Sequence, residues 1–108
     1  MIKQHIIGLV ASAGVLASTS IALAAYPGQQ LAGQAHVSLA RARTLAAHAA
    51  NGTIAKQELE KEHGGSGLRY TFEVKTVTGM REVGIDAKSG ALLENSLDES
   101  GESADDGK

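Results

Sequence analysis

Between Leu68 and Lys75 the side chains alternate without a break: Leu68, Tyr70, Phe72 and Val74 fall on one side of an extended chain, and Arg69, Thr71, Glu73 and Lys75 on the other. Successive side chains of a strand point to opposite faces, so this segment predicts a strand with one buried face. Burying four such apolar side chains is worth roughly 1.5–3 kcal/mol each, which requires that something cover them. The pattern then continues to Glu94. Thr78-Gly79 marks a turn, and Arg81–Asp86 brings Val83 and Ile85 inward. Asp86-Ala87-Lys88-Ser89-Gly90 reverses the chain again, Asp86 being suited to an Asx-type turn and Gly90 to a positive φ. Ala91–Asn95 is the expected last strand.

A helix upstream is the candidate cover. From Leu39 to Ala50, Leu39, Ala42, Leu45, Ala46 and Ala49 recur at spacings of three and four and form one apolar stripe, with Arg41, Thr44 and His48 opposite. Ser38 is placed to cap the first turn. Asn51-Gly52 ends the helix, both residue types tolerating the left-handed conformation. Six alanines supply little volume, so the helix is expected to lie close to the sheet.

Thr53 to Glu62 reads two ways. Lys56, Glu58, Lys61 and Glu62 suit a charged helix with pairs three and four apart. As a strand, Ile54 and Leu59 have opposite parity, so both reach one core only across a bulge. The glycine loop Gly64–Gly67 and the clear strand beyond it favour the strand. The expected class is α+β, with one N-terminal helix packed on one face of a three- to four-stranded antiparallel sheet. Its core comprises Leu39, Leu45, Leu59, Leu68, Tyr70, Phe72, Val74, Val83 and Ile85.

The ends differ from this middle. Residues 1–24 combine Lys3, an apolar run from Ile6 to Ala17 and small residues around Ala22 and Ala24, the three parts of a secretory signal peptide cleaved after Ala24. An uncleaved anchor is the competing reading, weakened by Ser12, Gly14 and Ser18–Ser20. Residues 25–35, with the one proline and three glutamines, read as a flexible leader in which Tyr26 is exposed. Residues 97–108 read as a disordered acidic tail. The sequence has no cysteine, so neither a disulfide nor a thiolate metal site is available. Between residues 25 and 96 eight basic side chains face seven acidic ones without clustering, which argues against nucleic acid as a partner. The export signal predicts a periplasmic or secreted protein with no membrane attachment after cleavage. The domain, about 60 residues over 36–96, is of the size that folds only marginally, so a homo-oligomer is among the expected arrangements.

Chemistry is thinly represented. His36, His48 and His63 are the candidate metal ligands of the mature chain, but no two stand at ligand spacing. The loop Gly64–Gly67 leads into a strand rather than a helix N-terminus, unlike common phosphate cradles. Asp86 and Lys88 lack the further acidic ligands of a calcium loop, and no Gly-x-Ser-x-Gly elbow is present. Asn51-Gly52-Thr53 fits a glycosylation acceptor, relevant only in a eukaryotic secretory route. The expectation is a protein that is not an enzyme and carries no cofactor. Its candidate partner face is the outer, charged side of the sheet: Arg69, Glu73, Lys75 and Arg81, with Glu82 beside them.

The order of these pieces resembles the PepSY domain family: VSLARARTLAAHA, then QELEKE, the loop, YTFEV and VGIDAKSGALLE, over His36 to Ser96. In that family a proline often precedes the glycine that ends the helix; here the pair is Asn51-Gly52. The resemblance implies inhibition or chaperoning of peptidases, the role proposed for the domain in propeptides. With no peptidase following in this sequence, the implied action is in trans, on an envelope protein such as a peptidase, in a bacterial setting. An envelope sensor or binder of a small molecule or metal ion is the alternative.

Overall fold

Ser38 starts the helix as its residue type predicts: its Oγ accepts a hydrogen bond from the Arg41 N–H at 3.0 Å. In the structure, a computed structural model that describes residues 24–99, the helix α1 spans Leu39–Ala50. Four strands follow: β1 Thr53–Lys61, β2 Leu68–Thr76, β3 Gly79–Asp86 and β4 Leu92–Leu97. They form one antiparallel sheet in the order β1-β2-β3-β4, with α1 across one face, chiefly over β2 and β3. Among the described residues no helix is long and apolar enough to cross a membrane. The signal peptide expected over 1–24 lies, but for Ala24, outside the described residues.

The segment 53–62 resolves as a strand over Thr53–Lys61, and the bulge that its parity demands is present. Ile54 pairs with Val74 and Lys56 with Glu73, so Ala55 is the extra residue. Beyond it Leu59 returns to the helix side and is buried, while Ile54 packs half-buried at the margin. Phe72, Val74 and Val83 are wholly inaccessible, and Leu68, Tyr70, Ile85 and Leu39 nearly so. The helix buries Leu39, Ala42, Ala46 and Ala50, a stripe rotated slightly from that expected. Leu45 therefore sits half-buried at the flank of the core rather than inside it. Alanines at the centre of the contact let α1 approach the sheet closely, leaving the volume to Tyr70 and Phe72, whose rings lie 6.2 Å apart.

Asn51 takes the left-handed conformation, φ 56°, and closes α1. Gly52 then passes so near β2 that an added Cβ would meet the Lys75 carbonyl and lie 2.9 Å from Val74 Cγ1. Here Asn51 makes the turn and Gly52 the close approach. The Tyr70 hydroxyl donates to the Val37 carbonyl at 2.6 Å, tying the approach to the helix to the middle of the sheet. Tyr70→Phe is expected to cost about 1 kcal/mol in urea denaturation, the usual worth of one such bond.

Three expectations are corrected. Residues 25–35 are not a structureless leader: Gln29–Gln34 forms a 3-10 helix, and Tyr26 and Leu31 pack against the core instead of standing exposed. The reason is the β1 edge, where the Leu59 N–H donates to the Pro27 carbonyl at 3.0 Å. Gly28, at φ 88°, lies against the Leu59 backbone, where a Cβ would collide with it. The last strand runs on to Leu97, and the Asp98 N–H donates to the Met80 carbonyl, so order extends past the expected start of the tail. The rest of that tail, from residue 100, lies outside the described residues. Finally, Arg81 does not belong to the outer face. It stands in register with Val74 and Leu97, on the helix side, and bonds Asn95 through Nε at 2.8 Å to Oδ1 and Nη2 at 2.9 Å to the carbonyl. Parity decides this, since Arg81, Val83 and Ile85 alternate together.

Gly28→Ala tests the strap formed by residues 26–34. It is expected to release that segment while leaving the sheet intact, seen as faster amide exchange at Leu59 and limited proteolysis near Gln29. Unchanged exchange at Leu59 would show that the segment is held by other contacts.

Candidate functional site

With one sheet face under α1, the groups available for contact are those on the opposite face and along the two edge strands. Strand register places Lys56 and Glu58 of β1, Arg69, Thr71, Glu73 and Lys75 of β2, Glu82, Gly84 and Asp86 of β3, and Glu94 of β4 on the outer face. Near balance along the chain has become imbalance in space, with carboxylates outnumbering bases on this side. Glu82 stands directly opposite Glu73 on the neighbouring strand.

The protonation of the face follows. Burial, reinforced by Glu94, Asp98, Glu62 and Glu60, pushes the Glu82 carboxyl above its ordinary range. Burial also raises Glu60, against the lowering effect of the Thr71 hydroxyl, which donates to Glu60 Oε2 at 2.9 Å. A carboxyl with a raised folded pKa favours folding below its unfolded pKa and opposes it as pH climbs through the folded value. Glu82→Gln is therefore expected to raise the melting temperature at pH 7 and to lose that advantage at pH 4. A lower melting temperature at pH 7 would mean that the carboxylate has a favourable partner.

Of the residues expected as a partner face, Arg69, Glu73 and Lys75 share the outer side. Arg69 is largely covered: its side chain lies across Gly84 and reaches Glu94 Oε1 at 3.3 Å and Glu62 Oε1 at 3.9 Å. Its Nη2 donates to the His63 carbonyl at 3.2 Å. Arg69 thus serves as the internal counter-charge of the acidic face. Glu73 meets Lys56 at 4.0 Å, and Lys75 is exposed. Gly84, passed over in the sequence, is the residue that could have signalled this bridge, since glycine inside a strand often marks a close crossing.

Asp86 proves to be more than a turn residue. Its carboxylate is buried and accepts from the Lys88 and Ser89 N–H groups at 2.8 and 3.0 Å. It also accepts from the Ser66 N–H at 2.6 Å and Ser66 Oγ at 2.9 Å. Burial would push this carboxyl up, but the bonds from Ser66, Ser89 and Lys88 outweigh burial and hold it at about 2. The carboxylate joins the glycine loop between β1 and β2 to the turn between β3 and β4, and Gly90 at φ 83° completes that turn. Ser66 gave no signal of its role in the sequence, because its partner is twenty positions away.

Along the β1 edge an open cleft of about 530 Å³ is bounded by Ala25, Tyr26 and Pro27 on one side and by Ile54 to Glu58 on the other. Arg43, bonded to the Gln57 side chain, stands at its helix side, and Glu73 and Glu82 at its outer rim. The histidines do not converge: His36 precedes α1, His48 is on its exposed side and His63 is in the β1–β2 loop. Among the described residues no group of three or more His, Cys, Asp or Glu side chains is arranged to hold a metal ion.

The family model described as PepSY, peptidase propeptide and YPEB domain, matches residues 37–95. No curated protein and no solved structure gives a match.

Proposed function

Because this chain belongs to the PepSY family, we propose that it is an exported, non-catalytic binding module that acts in trans on an envelope protein, a peptidase being the first candidate. The observation that carries this reading is the division of the sheet. Its helix-side face is closed by α1, while the opposite face is rich in carboxylates and the cleft beside β1 is open. The non-catalytic part is supported by how the polar groups are engaged: Asp86 with Ser66, Arg69 with Glu94, and Glu60 with Thr71. Each such group holds another element in place.

The test is capture from the native envelope by immobilised protein beginning at Ala25, followed by rebinding of the purified captured protein. Rebinding that weakens with salt and with neutralised outer-face carboxylates is expected, because contacts between exposed charges are screened. If a peptidase is captured, its hydrolysis of a reporter peptide is measured with and without the module. No specific capture, or rebinding indifferent to those carboxylates, would overturn the proposal. Mass determination of the exported chain checks cleavage after Ala24.

A further inference from the structure

We propose that the cleft beside β1 is a strand-addition site for an extended partner segment in which basic and apolar side chains alternate. This deepens the binding-module reading and rests on it. β1 is an edge strand, and its Leu59 N–H already donates outward to Pro27. In an antiparallel ladder the outward groups recur at every second residue, so Gln57 presents its backbone N–H and C=O to the same side. The chain thus shows at Leu59 the kind of bond a partner would make at Gln57.

The surroundings define the occupant. The backbone from Ile54 to Glu58 borders an open cleft of about 530 Å³, within the range of small-ligand sites. A strand laid there sends successive side chains to opposite sides. Those on the outer side meet Glu58, Glu73 and Glu82, which outnumber the one base there, Lys56, paired with Glu73 at 4.0 Å. Those on the helix side meet Tyr26 and Ile54, and Arg43 there disfavours a basic residue. The site is also guarded. The bulge at Ala55 and the strap at Pro27 bound the free edge, and both are devices that limit indiscriminate pairing. Only a short segment fits, so side-chain charge is expected to decide its selection.

The experiment uses isotope-labelled protein beginning at Ala25 and two capped heptapeptides, Thr-Val-Lys-Val-Lys-Val-Thr and the same sequence with glutamate for lysine. The expected result is a set of amide shifts confined to β1 around Ala55–Glu58, with the lysine peptide binding about tenfold or more tightly than its acidic counterpart. Combining Glu58→Gln with Glu82→Gln should abolish that preference, the remaining spectrum reporting that the fold is kept. Because a protein variant risks misfolding, the lysine peptide is also prepared with its central amides N-methylated, which should remove binding without touching the protein. No shifts at millimolar peptide, equal binding of both peptides, or shifts centred on Leu92–Leu97 of β4 would overturn the site. Envelope capture that persists while the peptides fail leaves the binding module standing and moves its contact elsewhere; loss of both removes the module reading as well.

Discussion

Phe72→Ala is expected to lower the unfolding free energy by about 3–5 kcal/mol, the usual range for deleting a fully buried phenylalanine. Phe72 is 0 % exposed and lies in the second of four strands, opposite Gln57 on one side and Val83 on the other. The sequence has one Phe, two Tyr and no Trp, so little other aromatic volume is at hand to close the gap. The alanines of α1 cannot reach into it either. Domain stability of roughly 0.05–0.15 kcal/mol per residue leaves a fold of this size only a few kcal/mol in total. The variant is accordingly expected to be largely unfolded at 37 °C. Urea denaturation followed by circular dichroism measures this directly, and a loss below about 1 kcal/mol would show that α1 does not close over the sheet as described. Leu45→Ala, at the flank of the same core, should cost much less, about 1 kcal/mol.

Asp86→Ala is expected to cost about 3 kcal/mol, because it strands the N–H groups of Ser66, Lys88 and Ser89 that its carboxylate satisfies. The pH dependence tells this role apart from simple packing. The folded carboxyl is held at about 2 against an ordinary value of 3.8. A lowered carboxyl pKa contributes stability that is present above the unfolded value and disappears as pH falls through the folded one. The wild type should therefore lose on the order of 1–2 kcal/mol between pH 4 and pH 2 from this group, allowing for solvent screening. Asp86→Asn keeps the shape and part of the hydrogen bonding but has no proton to take up, so this portion of its acid transition should be missing. Wild-type stability in Asp86→Asn, with an unchanged acid profile, would refute the clasp between the two turns.

Much of the fold is legible because its causes are local. The alternation from Leu68 to Lys75 demands a strand with a covered face, and the alanine stripe of α1 is the partner of matching shape. Even the bulge in β1 follows from the opposed parity of Ile54 and Leu59. Where period-two bookkeeping lapses, as at Arg81, the expectation fails; the residue shares the parity of Val83 and so its face. The segment before the helix was illegible for a different reason. Tyr26, Pro27 and Gly28 carry every mark of a loop, and what orders them is the edge of a strand thirty positions later.

The sequence by itself determined the α+β class, the strand pairing by short turns, and a core built on Tyr70 and Phe72, since these depend on periodicity and turn chemistry within a few residues. Only the tertiary structure decided which charges share a surface. Arg69 lies over Gly84 to reach Glu94, Asp86 holds Ser66 across two loops, and Glu82 faces Glu73. Such meetings depend on register between strands far apart in the chain. Burial then turns a nearly neutral composition into an acidic face with shifted carboxyls.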